Sequence, residues 1–341
     1  MKYATLGKTG LHVSRIGFGG IPVQRISEEE ALQTLLCALE KGINFIDTAR
    51  GYGISEKYIG RALQGKREKV ILATKAPALT SEKMQEAVNG SLRDMQTEYI
   101  DLYQVHNVPS VEALQTAFAP QGAIEALEKA KALGTVRHIG ITSHKLEVLQ
   151  YALDHYSDRF ETVMYPYNIV ELQGESFFHA CKEKNIGVLA MKPLGGGNLE
   201  DARLALRFIL QNHDVTLAIP GMASVDEVTE NASVDDTPLS AEELAVCARL
   251  RETLGNDFCR RCGYCAPCTV GIDIPVMFTM YNYLERYHLP QWASGRYFAN
   301  AKTAKDCIGC GVCETRCPYQ LKIREKLQKV AKAFEPWEDK K

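Results

Sequence analysis

No run in the 341-residue sequence approaches the 18 or so consecutive apolar residues that a membrane span requires, and the N-terminal decapeptide MKYATLGKTG has no apolar stretch behind its first charge. The expectation is a chain that enters no membrane and stays in the cytoplasm. An excess of one charge is missing as well: 40 Lys and Arg stand against 42 Asp and Glu, mixed along the chain, for a net charge of -2. That balance gives no field to gather nucleic acid or an anionic lipid surface. Also absent from the first strand-to-helix turn, Gly17-Phe18-Gly19-Gly20-Ile21-Pro22, is the G-x-G-x-x-G spacing that cradles a pyrophosphate in doubly wound sheets. Neutral small molecules and proteins remain as partners.

Cysteine is present in quantity and is unevenly placed. Cys37, Cys181 and Cys247 stand alone, while eight others crowd into the last 83 residues, a clustering that points to metal rather than to a disulfide framework. The first group is Cys259-x2-Cys262-x2-Cys265-x2-Cys268 and the second is Cys307-x2-Cys310-x2-Cys313-x3-Cys317-Pro318. The second has the spacing of a bacterial ferredoxin run, in which three thiolates hold one cubane and the fourth reaches across to the other. The assignment implied is Cys259, Cys262, Cys265 and Cys317 on one [4Fe-4S] cluster, and Cys307, Cys310, Cys313 and Cys268 on a second. The first group departs from the pattern at its last gap, one residue short, and has Thr269 where proline is usual. Two four-cysteine zinc sites are the alternative, although zinc ordinarily pairs two C-x2-C knuckles instead of stacking them in series. The 38 residues between Cys268 and Cys307 read as helical and apolar, and a basic amphipathic helix follows from Leu321.

Between residue 15 and about 233, short β-rich apolar runs alternate with longer segments of helical period. The strands read as Arg15 to Gly20, Asn44 to Asp47, Val70 to Lys75, Ile100 to His106, Arg137 to Thr142, Thr162 to Tyr165, Gly187 to Met191 and Val215 to Pro220. In the first helix Ser27 and Glu30 form a capping-box pair ahead of a stripe of Leu32, Leu35, Leu36 and Leu39. Eight strand-helix units in roughly 220 residues match a closed (β/α)8 TIM barrel, an α/β fold, with a doubly wound sheet as runner-up. Ahead of the first strand, Lys2 to Leu6 and Leu11 to Ser14 flank Gly7-Lys8-Thr9-Gly10 as a hairpin suited to plugging one barrel end. A capped helix from Leu239 to about Leu254 leads to a break at Gly255-Asn256-Asp257. The divisions expected are a barrel over 1–233, a helical linker over 234–255 and a small, mainly helical, ferredoxin-type 2[4Fe-4S] domain over 256–341.

Catalytic groups of such barrels lie at the C-terminal ends of strands. Asp47 ends the second strand, Tyr52 follows in its loop, Lys75 ends the third and His106 the fourth. A tyrosine is a poor proton donor at neutral pH unless a cation stabilises its phenolate. Lys75 can supply that cation, Asp47 can hold Lys75 charged, and His106 can hydrogen-bond a substrate oxygen. Singly, each has a plainer reading: helix cap, barrel salt bridge, core histidine, loop aromatic. Together they resemble the Asp-Tyr-Lys-His tetrad of the aldo-keto reductases. The surroundings resemble that family too: Tyr3-x-x-Leu6-Gly7-x-Thr9-Gly10-Leu11-x-Val13-Ser14, Phe45-Ile46-Asp47-Thr48-Ala49-x-x-Tyr52-Gly53, Ser55-Glu56, Ile139-Gly140-Ile141 and Pro166-Tyr167-Asn168. With its cysteine-rich tail the chain looks like the subgroup that carries a C-terminal iron-sulfur domain.

The resemblance implies reduction of a small carbonyl compound with NAD(H) or NADP(H) lying across the barrel mouth. It puts Thr142, Ser143 and Asn168 beside the nicotinamide, Gly20 among the cofactor contacts, Pro193, Leu194 and Gly196 in one wrapping loop, and Pro220, Gly221, Glu230 and Asn231 along a second that ends at the adenine. The loop from Gly221 to Val228 has no Lys or Arg to meet a 2'-phosphate and carries Asp226 and Glu227, which favours NAD(H); Glu227 also reads as a capping residue for its helix. Met164 and Met191 depart from the glutamine and aromatic residue common in the family. They favour a second reading, an electron-transfer reductase whose clusters feed single electrons to the barrel, with a ferredoxin-like carrier as partner. A flavin mediating between hydride and single electrons has no short motif to reveal it and stays open. A third reading is a redox sensor or ferredoxin-like subunit. Substrate choice is assigned to loops such as Pro109 to Gln121.

Overall fold

The computed structural model describes residues 1–254, 259, 265–285, 288–317 and 320–340. Cys262 and the expected break at Gly255-Asn256-Asp257 lie outside these. The chain forms two compact units, Met1–Ala245 and Val246–Lys341.

The first unit opens with an antiparallel pair, β1 (Tyr3–Thr5) and β2 (His12–Ser14), joined through a 3-10 turn. Eight parallel strands follow: β3 (Phe18–Gly19), β4 (Phe45–Asp47), β5 (Ile71–Ala76), β6 (Ile100–Val105), β7 (Val136–Thr142), β8 (Thr162–Pro166), β9 (Gly187–Met191) and β10 (Leu217–Ile219). They pair in sequence order. Parallel bridges Ile16↔Ala218 and Gly19↔Gly221 bring the first strand to the last, so the sheet closes on itself as the alternating pattern predicts.

Period-2 alternation sends one side chain inward and the next toward the helices. The outward set, with the helices, makes the large core that includes Leu35, Met84, Val88, Leu127, Leu149 and Phe178. The inward set makes a second apolar layer of Phe45, Ala73, Leu102, Met164, Leu189 and Leu217, and Leu6 and Val13 of the hairpin are buried in it. The hairpin therefore seals the N-terminal end of the barrel, as its position suggested. The first helix, Glu28–Glu40, has the expected Ser27 capping box, but it buries Ala31, Thr34, Leu35, Cys37 and Ala38. Leu32 and Leu39 pack only at the edge, because small side chains let the helix lie close to the sheet. The segment Pro109 to Gln121 is not a loop: Ser110 caps a helix over Val111–Phe118 that packs beside the next one.

The second unit is helical. Ile274–Glu285 and Pro290–Phe298 fill the interval between the cysteine groups, and Ile323–Phe334 buries Ile323, Leu327, Val330 and Phe334 along one stripe. Cys265 and Cys313 belong to its core. Among the described residues no helix is long and apolar enough to cross a membrane.

Candidate active site and cluster-binding cysteines

Strands β4, β5 and β6 run side by side in a register that pairs Asp47 with Ala73 and Lys75 with Gln104. By alternation Asp47, Lys75 and Gln104 point the same way as Phe45, Ala73 and Leu102, one layer further toward the C-terminal mouth. Lys75 Nζ donates to Asp47 Oδ2 at 2.5 Å and to the carbonyl of Thr48 at 2.8 Å. Gln104 Nε2 donates to the other oxygen, Asp47 Oδ1, at 3.3 Å. Lys75 is 2 % exposed and Asp47 5 %. The Tyr52 ring centroid lies 5.0 Å from Lys75 Nζ, and the His106 ring meets that of Tyr52 edge-on at 6.0 Å between centroids. All four residues singled out from the sequence meet at one mouth.

Burial alone would push the Lys75 ammonium down, but the Asp47 carboxylate and the Tyr52 hydroxyl reverse the sign and hold it above the ordinary lysine range. Burial pushes the Asp47 carboxyl up, opposed by the Lys75 charge and by the hydrogen bonds from Lys75 and Gln104. Burial, with the Lys75 charge adding to it, pushes the His106 ring down to about 3, so the imidazole is neutral at physiological pH. The result is a phenol next to a fixed cation and next to an uncharged ring that can donate one hydrogen bond. Such a set protonates and stabilises an oxygen on which negative charge develops.

Gln104 was missed in the sequence, although it stands two residues before His106 on the same strand face. Glu56, by contrast, lay in the recognised Ser55-Glu56 step, and its part is now visible. It is 3 % exposed, accepts from Thr74 Oγ1 at 2.7 Å and from Ser91 Oγ at 2.8 Å, and pairs with Arg50. These bonds tie the Tyr52 loop to β5 behind Lys75.

The expected dinucleotide contacts divide into two kinds. Gly20 N–H donates to the Asp47 carbonyl at 2.7 Å, and on the nicotinamide side Thr142 Oγ1 accepts from Asn107 N at 2.7 Å. Ser143 Oγ donates to the Val108 carbonyl at 2.8 Å. Asn168 is fully buried: its Nδ2 donates to Glu171 Oε2 at 2.8 Å and to the Lys192 carbonyl at 3.0 Å, and its Oδ1 accepts from the N–H groups of Val170 and Glu171. Met164 sits in the apolar layer, and Met191 packs at its edge. On the other side the fit is more open. Pro193 and Leu194 lead into Gly195, Gly196 and Gly197, whose φ values of 57°, 68° and 88° lie in the left-handed region, where a Cβ would strain the chain. Pro220 and Gly221 close against β3, where Gly19 N–H donates to the Pro220 carbonyl at 2.8 Å. Glu230 is exposed, whereas Asn231 is buried with no partner for its Oδ1 among the described residues. Ser224 Oγ caps Val225–Ala232 by accepting from Glu227 N at 3.2 Å, and Glu227 Oε2 accepts from Ala223 N at 2.6 Å, so the capping reading of Glu227 holds.

In the second unit Cys268, Cys307, Cys310 and Cys313 line one cavity together with Thr269, Arg324 and apolar neighbours. This is the cross-paired set expected of a ferredoxin-like arrangement, with Cys268 included despite its short gap. Gly309 and Gly311, at φ of 70° and 76°, let the 307–313 loop turn around the cavity. Among the described residues no three His, Cys, Asp or Glu side chains gather closely enough to hold one metal ion. Thiolates on a single zinc would stand about 3.8 Å apart, given a Zn–S bond of roughly 2.3 Å, whereas those of a cubane are spread around the cluster. Four cysteines around one cavity are the donor set of a [4Fe-4S] group. Thr269 Oγ1 lies 3.4 Å from Cys310 Sγ; that hydrogen bond, with the Val312 N–H, holds the Cys310 thiol below its ordinary range. Cys259 and Cys317 are half-buried and Cys265 is buried.

Comparison with known proteins agrees with both halves. Residues 15–203 match the aldo/keto reductase family, and residues 258–322 match a 4Fe-4S dicluster domain. Among curated proteins, L-galactose dehydrogenase of Arabidopsis thaliana is 29 % identical over 279 residues, spanning 67 % of this chain and 86 % of that one. Among solved structures, the holo form of the aldo-keto reductase AKR11C1 from Bacillus halodurans superposes with a TM-score of 0.64 at 30 % identity, covering 73 % of this chain and 96 % of the other. An aldo/keto reductase from Klebsiella pneumoniae in complex with NADP and acetate gives 0.62 at 28 %, covering 73 % and 95 %.

Proposed function

The chain belongs to the aldo/keto reductase family and carries a 4Fe-4S dicluster domain, and from that premise we propose that it reduces a small carbonyl compound with Tyr52 as proton donor. The observation that carries the reading is the Lys75–Asp47 pair, buried beside Tyr52. A fixed ammonium stabilises the phenolate left when Tyr52 gives up its proton. His106, neutral, donates to the carbonyl oxygen and orients it toward Tyr52. Asp47 keeps Lys75 charged and still, and Gln104 keeps Asp47 in place. A nicotinamide dinucleotide bound along the 193–198 and 220–231 loops would supply the hydride. NAD(H) is the form favoured: the loop 221–228 lacks Lys and Arg, and Asp226 and Glu227 in the first turn of its helix would repel a 2'-phosphate.

A second reading has a specific observation behind it. Asn168 has every polar atom engaged within the fold, and Met164 is buried in the apolar layer. Neither leaves a group for a nicotinamide carboxamide. On this reading the eight cysteines hold two clusters that pass single electrons from a ferredoxin-like carrier toward the barrel mouth. Tyr52 and His106 keep their roles toward the substrate oxygen, which argues against a retired barrel acting only as a sensor.

Protein purified without oxygen is expected to oxidise NADH with members of an aldehyde and ketone panel, and Tyr52→Phe to lower that rate by at least about a hundredfold with its fold intact. Absence of both turnover and binding of NADH across the whole panel would refute the first reading. Substrate reduction driven by a reduced viologen and lost in Cys310→Ala would then support the second.

A further inference from the structure

We propose that the loop around Cys310 is the port through which electrons enter, and that it docks an acidic, ferredoxin-type carrier protein. This rests on the reading that the clusters relay electrons.

Of the described cluster cysteines, Cys310 is the one classed as exposed. Beside it, Ile308 is 63 % exposed, and it is the one large hydrophobic side chain of the second unit, among the described residues, to be left so open. Gly309, Thr269, Ala266 and Pro267 are exposed around it. An uncovered apolar side chain at the edge of the cavity that Cys310 lines has no structural use in this unit, whose other large apolar side chains are buried or half-buried among the described residues. It does bring a partner's surface to within contact of the cluster.

The rim is cationic. Arg316 Nη1 donates to the Pro267 carbonyl at 2.9 Å, next to Cys268. Arg324 lines the cluster cavity and is held by Glu314, with Nε–Oε2 at 2.9 Å, while its Nη1 approaches the Gly309 carbonyl at 3.5 Å. Lys322 stands nearby on the chain and is 75 % exposed, only loosely paired with Glu325 at 3.9 Å. From Val246 onward the sequence has 16 Lys and Arg against 10 Asp and Glu. A cluster with four thiolates is itself anionic, so attraction for a carrier has to come from these side chains. An apolar centre with a charged rim is the anatomy of a protein interface, and electron-transfer encounters are small and weak, so a patch of this size suffices. Its cations select an acidic partner and speed its approach at low salt. The step is the passage of one electron: the carrier is oxidised, the cluster is reduced, and no bond or proton moves.

The test is stopped-flow bleaching of the cluster absorption in the anaerobic full-length protein. One reductant is a reduced acidic [2Fe-2S] ferredoxin, freed of dithionite and followed at a wavelength where its own change differs from that of a [4Fe-4S] cluster, and the other is reduced methyl viologen, likewise freed of dithionite. For wild type the ferredoxin rate constant should fall as salt is raised. In Arg316→Glu/Lys322→Glu it should fall at least tenfold at low salt, while the viologen rate does not slow. Ile308→Ser, which leaves every charge and ligand in place, should slow the ferredoxin alone, and it keeps the test decisive if the charge-reversed chain assembles its clusters poorly. A ferredoxin rate indifferent to salt and to Ile308→Ser overturns the docking surface. Clusters that viologen cannot reduce overturn the relay reading beneath it.

Discussion

Lys75 Nζ and Asp47 Oδ2 meet at 2.5 Å with both side chains sealed from solvent, so neither charge can be removed without stranding the other. Breaking a buried pair from one side costs about 3–5 kcal/mol, whereas removing both partners can be nearly neutral. Asp47→Asn and Lys75→Met should therefore each lower the melting temperature strongly, and the double variant should recover most of it. Carbonyl reduction should stay lost in all three. A double variant no more stable than the worse single one would show that the pair is not the unit it is taken for.

His106 gives a pH prediction with a definite sign. Its ring is neutral in the fold down to about pH 3 but takes a proton near 6.5 when unfolded, so the unfolded chain binds more protons below 6.5. The contribution to stability is complete above 6.5 and is lost as pH falls from there toward 3. The gap in melting temperature between wild type and His106→Gln should shrink between pH 7 and pH 5. Activity should show no acid limb near 6.5. A limb there that disappears in His106→Gln would mean that the ring titrates as an ordinary histidine.

The cysteines should fall into two phenotypes. Cys268→Ala and Cys310→Ala act on the same cavity and should each remove about half of the iron and sulfide, with the same loss in the electron paramagnetic resonance spectrum of reduced protein. Cys259→Ala should remove the complementary signal. Identical spectra from Cys259→Ala and Cys268→Ala would break the cross-paired assignment.

Cofactor choice can be probed at Asp226, which is exposed in the first turn of Val225–Ala232. Asp226→Arg should raise kcat/KM for NADPH relative to NADH by about tenfold, the equivalent of roughly 1.4 kcal/mol. Steady-state rates with the two dinucleotides check it. An unchanged ratio would take the 2'-phosphate away from this helix start.

Much of the fold was legible because period alternation is written into residues that have to be buried. Leu102 and Gln104 share one face of β6, with His106 just beyond it, and Tyr103 and Val105 the other, and both faces are buried, so the strand reads as an unbroken buried run. Asp47, Lys75 and His106 stand out for a related reason, since they lie at the ends of consecutive strands, with Tyr52 in the loop after the first of these. The ends of the sheet were read less well. Arg15 to Gly20 contributes only Phe18 and Gly19 to the ladder, plus the Ile16 bridge, because closure against β10 rather than strand propensity fixes its extent. The motif assigns Asn168 toward a ligand; its bonds to Val170 and Glu171 lie within the segment after β8, while the one to the Lys192 carbonyl depends on the chain after β9, which local sequence does not reveal. Helix Val111–Phe118 does not show in the sequence because it is only eight residues long, too short for a helical period to stand out from its flanks. Of the two cysteine sets expected from the spacing, the described residues bring Cys268, Cys307, Cys310 and Cys313 to one cavity, while Cys262 of the other set lies outside the described residues.

Closure of the barrel joins Ile16 to Ala218, and every cluster cysteine comes later in the chain than that seam. During synthesis the barrel has its last strand by residue 219, some forty residues before Cys259 is added. Cluster assembly therefore waits on cysteines that follow the barrel's last strand in the chain.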